Sequence, residues 1–240
     1  MTGAAPKERF TARRRVRDRI QRAILNGEYP PGSRLPQLRL AKDFGVAQTV
    51  VRESLLELQF CGLVEAVDNL GMFVSEIGPH KLLQAYEIRE MFEGLAARLC
   101  CEQASRAEIA ELRDLAQRVY ELGRGGQRAE MGAQDRQFHQ RTIVLSANEV
   151  LQRLTEGYRL LGMAVQAERD IRRIRDEHLA IVSAIEANRP DEAERLARYH
   201  VREARAALEH RIKTGTFAPI WVGAGPDEVS VAAKPLAEET

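Results

Sequence analysis

The chain of 240 residues has few of the features that mark secreted or membrane proteins. It has only three cysteines, Cys61, Cys100 and Cys101, and their spacing fits no metal site. We interpret them as small buried side chains in a reducing compartment. No run approaches the ~20 apolar residues that span a bilayer, and the first ten residues lack the apolar segment of a secretory signal. These absences predict a cytoplasmic protein with no membrane segment.

Net charge is also small, at +1, but it is unevenly distributed. Residues 1–75 contain 12 Lys and Arg against 8 Asp and Glu, whereas residues 76–240 contain 24 against 27. A basic N-terminal part on a mildly acidic body favours one domain that faces nucleic acid.

The sequence around Gly45 predicts a helix-turn-helix. Two short segments with helical apolar spacing meet there, and glycine readily takes the positive φ of a tight turn between helices. The apolar positions are Leu40, Ala41 and Phe44 in the first segment, and Val51, Leu55 and Leu58 in the second. Two extended runs follow, residues 63–67 and 72–74, around a turn at residues 68–71. This order is typical of a winged helix-turn-helix, whose second helix enters the DNA major groove.

The outward face of the second helix carries Gln48, Thr49 and Arg52. Gln can pair with adenine, Arg with guanine, and Thr with a phosphate or a thymine methyl group. Upstream, an amphipathic helix presents an arginine-rich face, which we interpret as a phosphate-contacting surface. Its arginines are Arg13, Arg14, Arg15, Arg17, Arg19 and Arg22.

From residue 79 the pattern is almost entirely helical and predicts an all-α bundle of about six helices. The segments are residues 81–101, 105–123, 126–145, 148–167, 170–187 and 191–213. The fold class is therefore mainly α, with a small β wing. We predict a DNA-binding domain over residues 1–78, a helical domain over 79–214 and a flexible tail over 215–240. The apolar tail residues Phe217, Ile220, Trp221 and Val222 could dock on the bundle or on a partner subunit.

Three histidines and an aspartate predict a metal site in the bundle. Asp135 and His139 are four residues apart, on one helix face. His178 and His200 each lie 11 residues from Arg189, so an antiparallel helix hairpin places them at equal height. Three imidazoles and one carboxylate suit a divalent ion, with zinc preferred and nickel, manganese or iron as alternatives.

Several motifs together resemble the GntR family of bacterial transcription regulators. They are P-P-G-S-R-L-P, L-A-K-D-F-G-V, V-R-E-S-L, G-L-V and the wing glycine Gly71. The helical part is similar to the FadR-like members, which carry an FCD-type ligand-binding domain. Its matching runs are D-R-Q-F-H at 135–139, E-H at 177–178, His200, L-S-A-N at 145–148 and E-I-R-E-M-F-E at 87–93.

The resemblance implies site residues beyond the metal ligands. DNA contacts are expected at Arg34, Arg39, Gln48, Thr49, Arg52, Asn69 and Gly71. Relatives often place helix-capping serines where this chain has Gln37 and Ala47, and arginines where it has Leu38, Gln48 and Leu70. An effector is expected at Arg89 and Asn148, although an ion pair with Glu93 is an alternative role for Arg89.

These observations predict a homodimeric regulator that binds a palindromic DNA operator. Most regulators that it resembles are repressors, so repression is expected, with activation as the alternative. The resemblance implies a small carboxylate effector held near the metal. Other readings stay open: a regulator that senses the metal itself, a purely structural metal, or a metal-dependent hydrolase. The hydrolase is disfavoured because no general base or nucleophile stands out, and we expect no enzymatic activity.

Overall fold

The computed structural model describes residues 6–25, 27–76, 78–162 and 169–217. In these ranges it contains nine helices and one two-stranded sheet. The N-terminal elements are α1 (Pro6–Leu25), α2 (Gln37–Phe44), α3 (Gln48–Phe60), β1 (Val64–Val67) and β2 (Gly71–Val74). The later helices are α4 (Pro79–Gln103), α5 (Arg106–Arg124), α6 (Arg128–Leu145), α7 (Glu149–Gly162), α8 (Ile171–Glu186) and α9 (Pro190–Lys213). The predicted fold class is confirmed.

The helix-turn-helix forms at the predicted glycine. Gly45 has φ 64°, and its N–H donates to carbonyls of the last turn of α2, so it ends that helix in the left-handed conformation. Neither α2 nor α3 has a side-chain N-cap, as the missing serines led us to expect. The cap of α2 is Pro36 and not Gln37, while that of α3 is Ala47 as predicted. Apolar packing therefore stabilises both helices without caps.

The wing is an antiparallel hairpin that starts and ends within one residue of the prediction. Val64 pairs with Val74 at its base and Val67 with Gly71 at its tip. Asn69 at φ 60° and Gly71 at φ 105° make the turn. The backbone of Arg34 forms an isolated bridge to Phe73, which joins the segment before α2 to β2.

Three of the six helices of the second region, α5, α7 and α8, begin where a short polar side chain accepts a backbone hydrogen bond. Ser105 and Glu108 form a reciprocal capping box at α5. Asp170 accepts from the N–H of Arg172 at α8, and Asn148 accepts from the N–H of Leu151 at α7. The six predicted segments match α4 to α9, except that residues 163–167 of the fourth lie outside the described ranges.

Apolar side chains of the two regions form separate cores. One cluster, from Val16 to Val74, joins α1, α2, α3 and the wing. Three others, between Leu82 and Leu208, lie in α4 to α9. Phe217, in the predicted tail, packs against the cluster that contains Leu82 and Tyr86. The rest of the tail, including Ile220, Trp221 and Val222, lies outside the described residues.

Within the described residues, no helix is both long and apolar enough to cross a membrane.

Candidate metal centre and nucleic-acid interface

The predicted metal residues meet in the middle of the helical bundle. Asp135 and His139 come from α6, His178 from α8 and His200 from α9. One ligand atom from each of the four can be chosen so that all lie within 4.8 Å of one another. The three histidines are buried, with exposed fractions of 8%, 0% and 4%, while Asp135 is partly exposed. The arrangement could enclose one metal ion.

Local sequence explains this convergence. The hairpin of α8 and α9 turns at residues 187–189, where Asn188 takes φ 51°. The rings of His178 and His200 lie with centroids 4.5 Å apart, as their equal distance from the turn predicts. The ring of His139 lies 5.2 Å from the first and 5.1 Å from the second.

One buried and one partly buried carboxylate orient two of the three imidazoles. Nδ1 of His139 lies 2.8 Å from Oε2 of Glu93 on α4, and Nδ1 of His200 lies 2.7 Å from Oε2 of Glu177 on α8. An ionised carboxylate only accepts hydrogen bonds, so each Nδ1 carries the hydrogen and donates it. In a neutral ring with the hydrogen on Nδ1, Nε2 keeps a free lone pair, which is the form that binds metal.

His178 is held differently. Its ring stacks on Phe138 with centroids 4.1 Å apart. Neither ring nitrogen has a hydrogen-bond partner, and its Nε2 lies 3.5 Å from Oδ1 of Asp135. Nε2 of His139 is also buried without a partner, 3.7 Å from Oδ2 of Asp135. A buried polar atom left unsatisfied costs about 1–3 kcal/mol, and a metal ion here would satisfy one nitrogen of each side chain. The residues therefore fit a divalent ion.

The charge states favour ligation. Burial, followed by the neighbouring His200 and His139, lowers the pKa of His178 well below its ordinary value. Burial also lowers the pKa of His200, despite its hydrogen bond to Glu177. Burial alone would raise the pKa of Glu93, yet Arg89 and His139 hold it well below its usual range. The pKa shifts thus favour neutral imidazoles at His178 and His200 and ionised carboxylates at Glu93 and Glu177, which suits metal binding.

The two proposed effector residues are placed differently: Arg89 contacts Glu93 beside this cluster, whereas Asn148 caps α7. Nε of Arg89 donates to Oε1 of Glu93, so the alternative ion pair does form. That contact uses one of five guanidinium N–H donors. The same guanidinium carbon lies 5.4 Å from the ring centroid of Tyr86, which is buried. The side-chain oxygen of Asn148 caps α7. Effector binding by Arg89 and Asn148 stays a prediction.

Sequence reasoning assigned no role at the site to Glu93, Glu177, Tyr86 or Arg169. Arg169 pairs with Glu177 at 2.6 Å and so holds the carboxylate that orients His200. Glu177 directly precedes His178, but adjacent helical residues point about 100° apart, so it reaches α9 instead. Glu93 lies far from His139 in sequence and Glu177 adjoins His178, so only packing reveals which imidazole each carboxylate contacts.

The expected DNA contacts are all solvent-exposed in the N-terminal region. They are Arg34, Arg39, Gln48, Thr49, Arg52, Asn69 and Gly71. On α3 the opposite face, with Val51, Leu55 and Leu58, is fully buried, as predicted. The guanidinium of Arg34 lies beside Gly71 of the wing, so cationic and wing residues share one area. Their DNA contacts stay a prediction.

The arginine face of α1 is partly used inside this region. Arg13 pairs with Glu57 at 2.8 Å, and Arg17 reaches the same carboxylate at 3.4 Å. The guanidinium of Arg19 lies 4.7 Å above the ring of Phe44. Arg14, Arg15 and Arg22 are exposed. Arg19 is exposed as well, and the interpretation of this face as a phosphate-contacting surface stays a prediction.

Comparison with known proteins gives two domain matches. Residues 12–74 match the family described as bacterial regulatory proteins, gntR family. Residues 84–203 match the FCD domain. The first match includes the helix-turn-helix and the wing, and the second includes all four residues of the metal cluster.

Full-length relatives are also similar. The chain is 30% identical over 206 residues to a probable D-xylose utilization operon transcriptional repressor of Paenarthrobacter nicotinovorans, covering 84% of this chain and 91% of the relative. It is 31% identical over 180 residues to the Nta operon transcriptional regulator of Aminobacter aminovorans, covering 73% and 84%. Among solved structures, E. coli McbR/YncC superposes with a TM-score of 0.64 at 20% identity, covering 84% of this chain and 98% of that one. The last likeness concerns the fold alone.

Proposed function

The chain belongs to the gntR family of bacterial regulatory proteins and carries an FCD domain, and from this premise we propose a homodimeric repressor that responds to a small organic acid bound beside a divalent metal. That it is a transcriptional regulator and not an enzyme follows from both domains and from its relatives. The operator, the metal and the effector are the proposed parts. So is the division into a DNA-binding domain ending at residue 78, a helical domain ending at residue 214, and a tail.

One observation supports the metal most directly. His139 and His178 have buried ring nitrogens without hydrogen-bond partners, and these nitrogens face the partly exposed carboxylate of Asp135. A cluster of this kind is costly when empty and favourable around a cation. We propose that Asp135, His139, His178 and His200 hold the ion, and we favour zinc over nickel, manganese or iron because imidazole suits it and its coordination is undemanding.

The effector is proposed to bind next to the metal. A bound divalent ion supplies a Lewis-acid site that attracts a carboxylate oxygen. Arg89 adds a guanidinium whose remaining N–H donors match a carboxylate, and Glu93 holds it in place. Tyr86, against Arg89, offers a hydroxyl close to the same region. These neighbours favour a small anionic ligand over a neutral or cationic one.

For DNA, we propose that two recognition helices of a dimer read the half-sites of a palindrome. Gln48, Thr49 and Arg52 would contact base edges, while Arg34, Arg39, Asn69 and Gly71 would contact backbone or minor groove. Effector binding would favour a dimer geometry in which the distance between the two recognition helices no longer matches one turn of DNA. Coupling of this kind is worth typically about 1–3 kcal/mol between the two sites.

The effector proposal is tested on metal-loaded and metal-stripped protein in parallel. A panel of small hydroxy acids and dicarboxylic acids is screened by thermal shift, and hits are added to complexes with a duplex selected from a random library. We expect a hit to raise the melting temperature and release the duplex only when metal is present. Arg89→Lys should bind the acid more weakly while retaining metal, since Lys keeps the charge but not the planar fork.

A different outcome would favour the metal-sensing alternative. If adding the metal alone changes DNA affinity and no acid adds to the effect, the ion is itself the signal. If neither metal nor acid changes DNA binding, the proposed coupling is wrong, although family membership and DNA recognition are unaffected.

A further inference from the structure

The long helix α4 carries an exposed apolar stripe that faces solvent. Ile88, Met91 and Leu95 are 50%, 51% and 38% exposed, although the opposite face of the same helix is buried in the bundle. Large aliphatic side chains lined up on one helix face are typical of a surface that binds a partner. The stripe lies away from the metal cluster, because Glu93 on the buried face is the α4 residue that contacts it.

The ends of the stripe carry opposite charges. Lys81 and Glu102 are exposed and, like Ile88 and Leu95, belong to a series spaced by seven residues along α4. An α-helix drifts only about 20° per seven residues, so the four positions form one nearly straight line. Neither Lys81 nor Glu102 has an ion-pair partner in the described part of the chain, although most other charges on α4 do.

Two copies of this series of four residues on α4 are complementary when the two helices pack antiparallel. A two-fold axis between positions 91 and 92 places Ile88 opposite Leu95 of the partner subunit, and Met91 next to its own copy. The same axis places Lys81 opposite Glu102 of the partner subunit, twice per dimer. A parallel arrangement would instead place like charges against each other, which is unfavourable.

We propose that a second copy of this chain docks on α4, antiparallel and centred at Met91, and that this contact forms the dimer. The inference rests on the dimeric function proposed above and specifies its surface. A two-fold contact uses the same patch on both subunits, as this stripe permits. The terminal charges lie about 16 Å from the axis, so both pairs form only if the helices cross at a shallow angle near 20°.

The test uses the full chain and sedimentation velocity over a dilution series. Met91→Lys should weaken the dimer at least roughly a hundred-fold, because two cations would meet at the axis without solvent. Val144→Lys, at another exposed apolar position on α6, is the matched control and should leave association unchanged. Circular dichroism checks that both variants retain their helices.

A charge exchange tests the register. Lys81→Glu and Glu102→Lys should each weaken the dimer, by roughly five- to fifty-fold, because two attractive pairs become repulsive. The double variant should restore the parent affinity at low salt. Absence of rescue overturns the antiparallel register, and a dimer insensitive to Met91→Lys overturns the surface.

Failure of this inference is distinguishable from failure of the proposed function. If the parent is a dimer on its selected duplex but α4 variants do not affect it, only the surface is wrong. If the parent is a monomer at every concentration, both the surface and the dimeric repressor are wrong.

Discussion

The N-terminal region presents its functional side chains to water, whereas the helical region buries them. Gln48, Thr49 and Arg52 are exposed on α3, while His178 and His200 are 0% and 4% exposed. A DNA duplex is large and binds to a convex, exposed surface, so the side chains that contact its bases need few neighbouring contacts to hold them in place. A metal ion is small, and its ligands need neighbours that fix their orientation. A substitution in the N-terminal region should therefore affect only the DNA contact of that residue. One in the helical region should affect metal binding by the whole cluster and the stability of the fold.

The largest effect is expected from His178→Ala. Removing one of four proposed ligands should abolish stoichiometric metal and lower the melting temperature. A metal present at about 1,000 times its dissociation constant stabilises the folded state by about 4 kcal/mol, and that contribution would be lost. Elemental analysis of purified protein and melting curves with and without a chelator measure both.

His210→Ala is the control for that experiment, because His210 is an exposed histidine near the end of α9. It should retain the metal content of the parent. Equal metal in the His178 variant and the parent would eliminate the site, and with it the account of how the effector is held.

The next effect concerns the carboxylates that support the ligands. Glu93→Gln and Glu177→Gln keep the size of the side chain but lose its charge, so His139 and His200 become weaker ligands. Each change should lower metal affinity roughly 10- to 100-fold. Competition with a chromophoric chelator gives the affinity.

Glu186→Gln serves as the matched control, since Glu186 pairs with Arg113 on the exposed surface. Should all three variants bind metal equally well, Glu93 and Glu177 have a purely structural role. The contrast between the two regions would then be weaker than proposed.

In the DNA-binding region, Arg52→Ala should reduce discrimination between a selected duplex and random duplex by about 1–3 kcal/mol, because one bidentate base contact is lost. Metal content and dimer association should stay at parent values, since the change is local. Competition titrations at fixed salt measure the ratio of affinities. Arg106→Ala, at an exposed arginine of α5, should leave that ratio unchanged; parent-like discrimination by Arg52→Ala would show that the wrong face of α3 was assigned.

The smallest effect is a gain in stability. Ala47 occupies the cap of α3 with an extended backbone and no side-chain hydrogen bond. Ala47→Ser should let the new hydroxyl accept a backbone N–H and stabilise the N-terminal region by about 1 kcal/mol. Urea unfolding followed by helical signal provides the measurement, with Ala107→Ser inside the first turn of α5 as a control. No gain in stability would show that water already satisfies the free backbone N–H groups at the start of α3.

Elements with local causes were predicted well. The periodicity around Gly45 and in the later helices depends on residues within a few positions of each other, and α2, α3 and α4 to α9 follow it. The wing was predicted because its turn residues and short extended runs are adjacent. The height match of His178 and His200 also followed from sequence, because a hairpin relates positions by simple counting.

Interactions between distant segments were predicted poorly. Nothing near Arg13 or Arg17 in sequence indicates that both pair with Glu57, about 40 residues away. These ion pairs use part of the α1 face inside the N-terminal region, and its contact with phosphates stays a prediction. Likewise, Glu177 adjoins His178 in sequence but contacts His200, and Glu93 contacts His139 from a distant part of the chain, because both contacts depend on how the helices pack.

The sequence by itself determined the helices, the wing, the glycine turn and the four residues that could bind a metal, because each depends on spacing along one element or one hairpin. The tertiary structure alone decided that Glu93 serves His139, that Glu177 serves His200, and that His178 rests on Phe138 with both nitrogens unpaired. The physical reason is that hydrogen-bond partners in a core are chosen by proximity after packing. Proximity between helices depends on the whole set of contacts and is encoded in no single stretch of the chain.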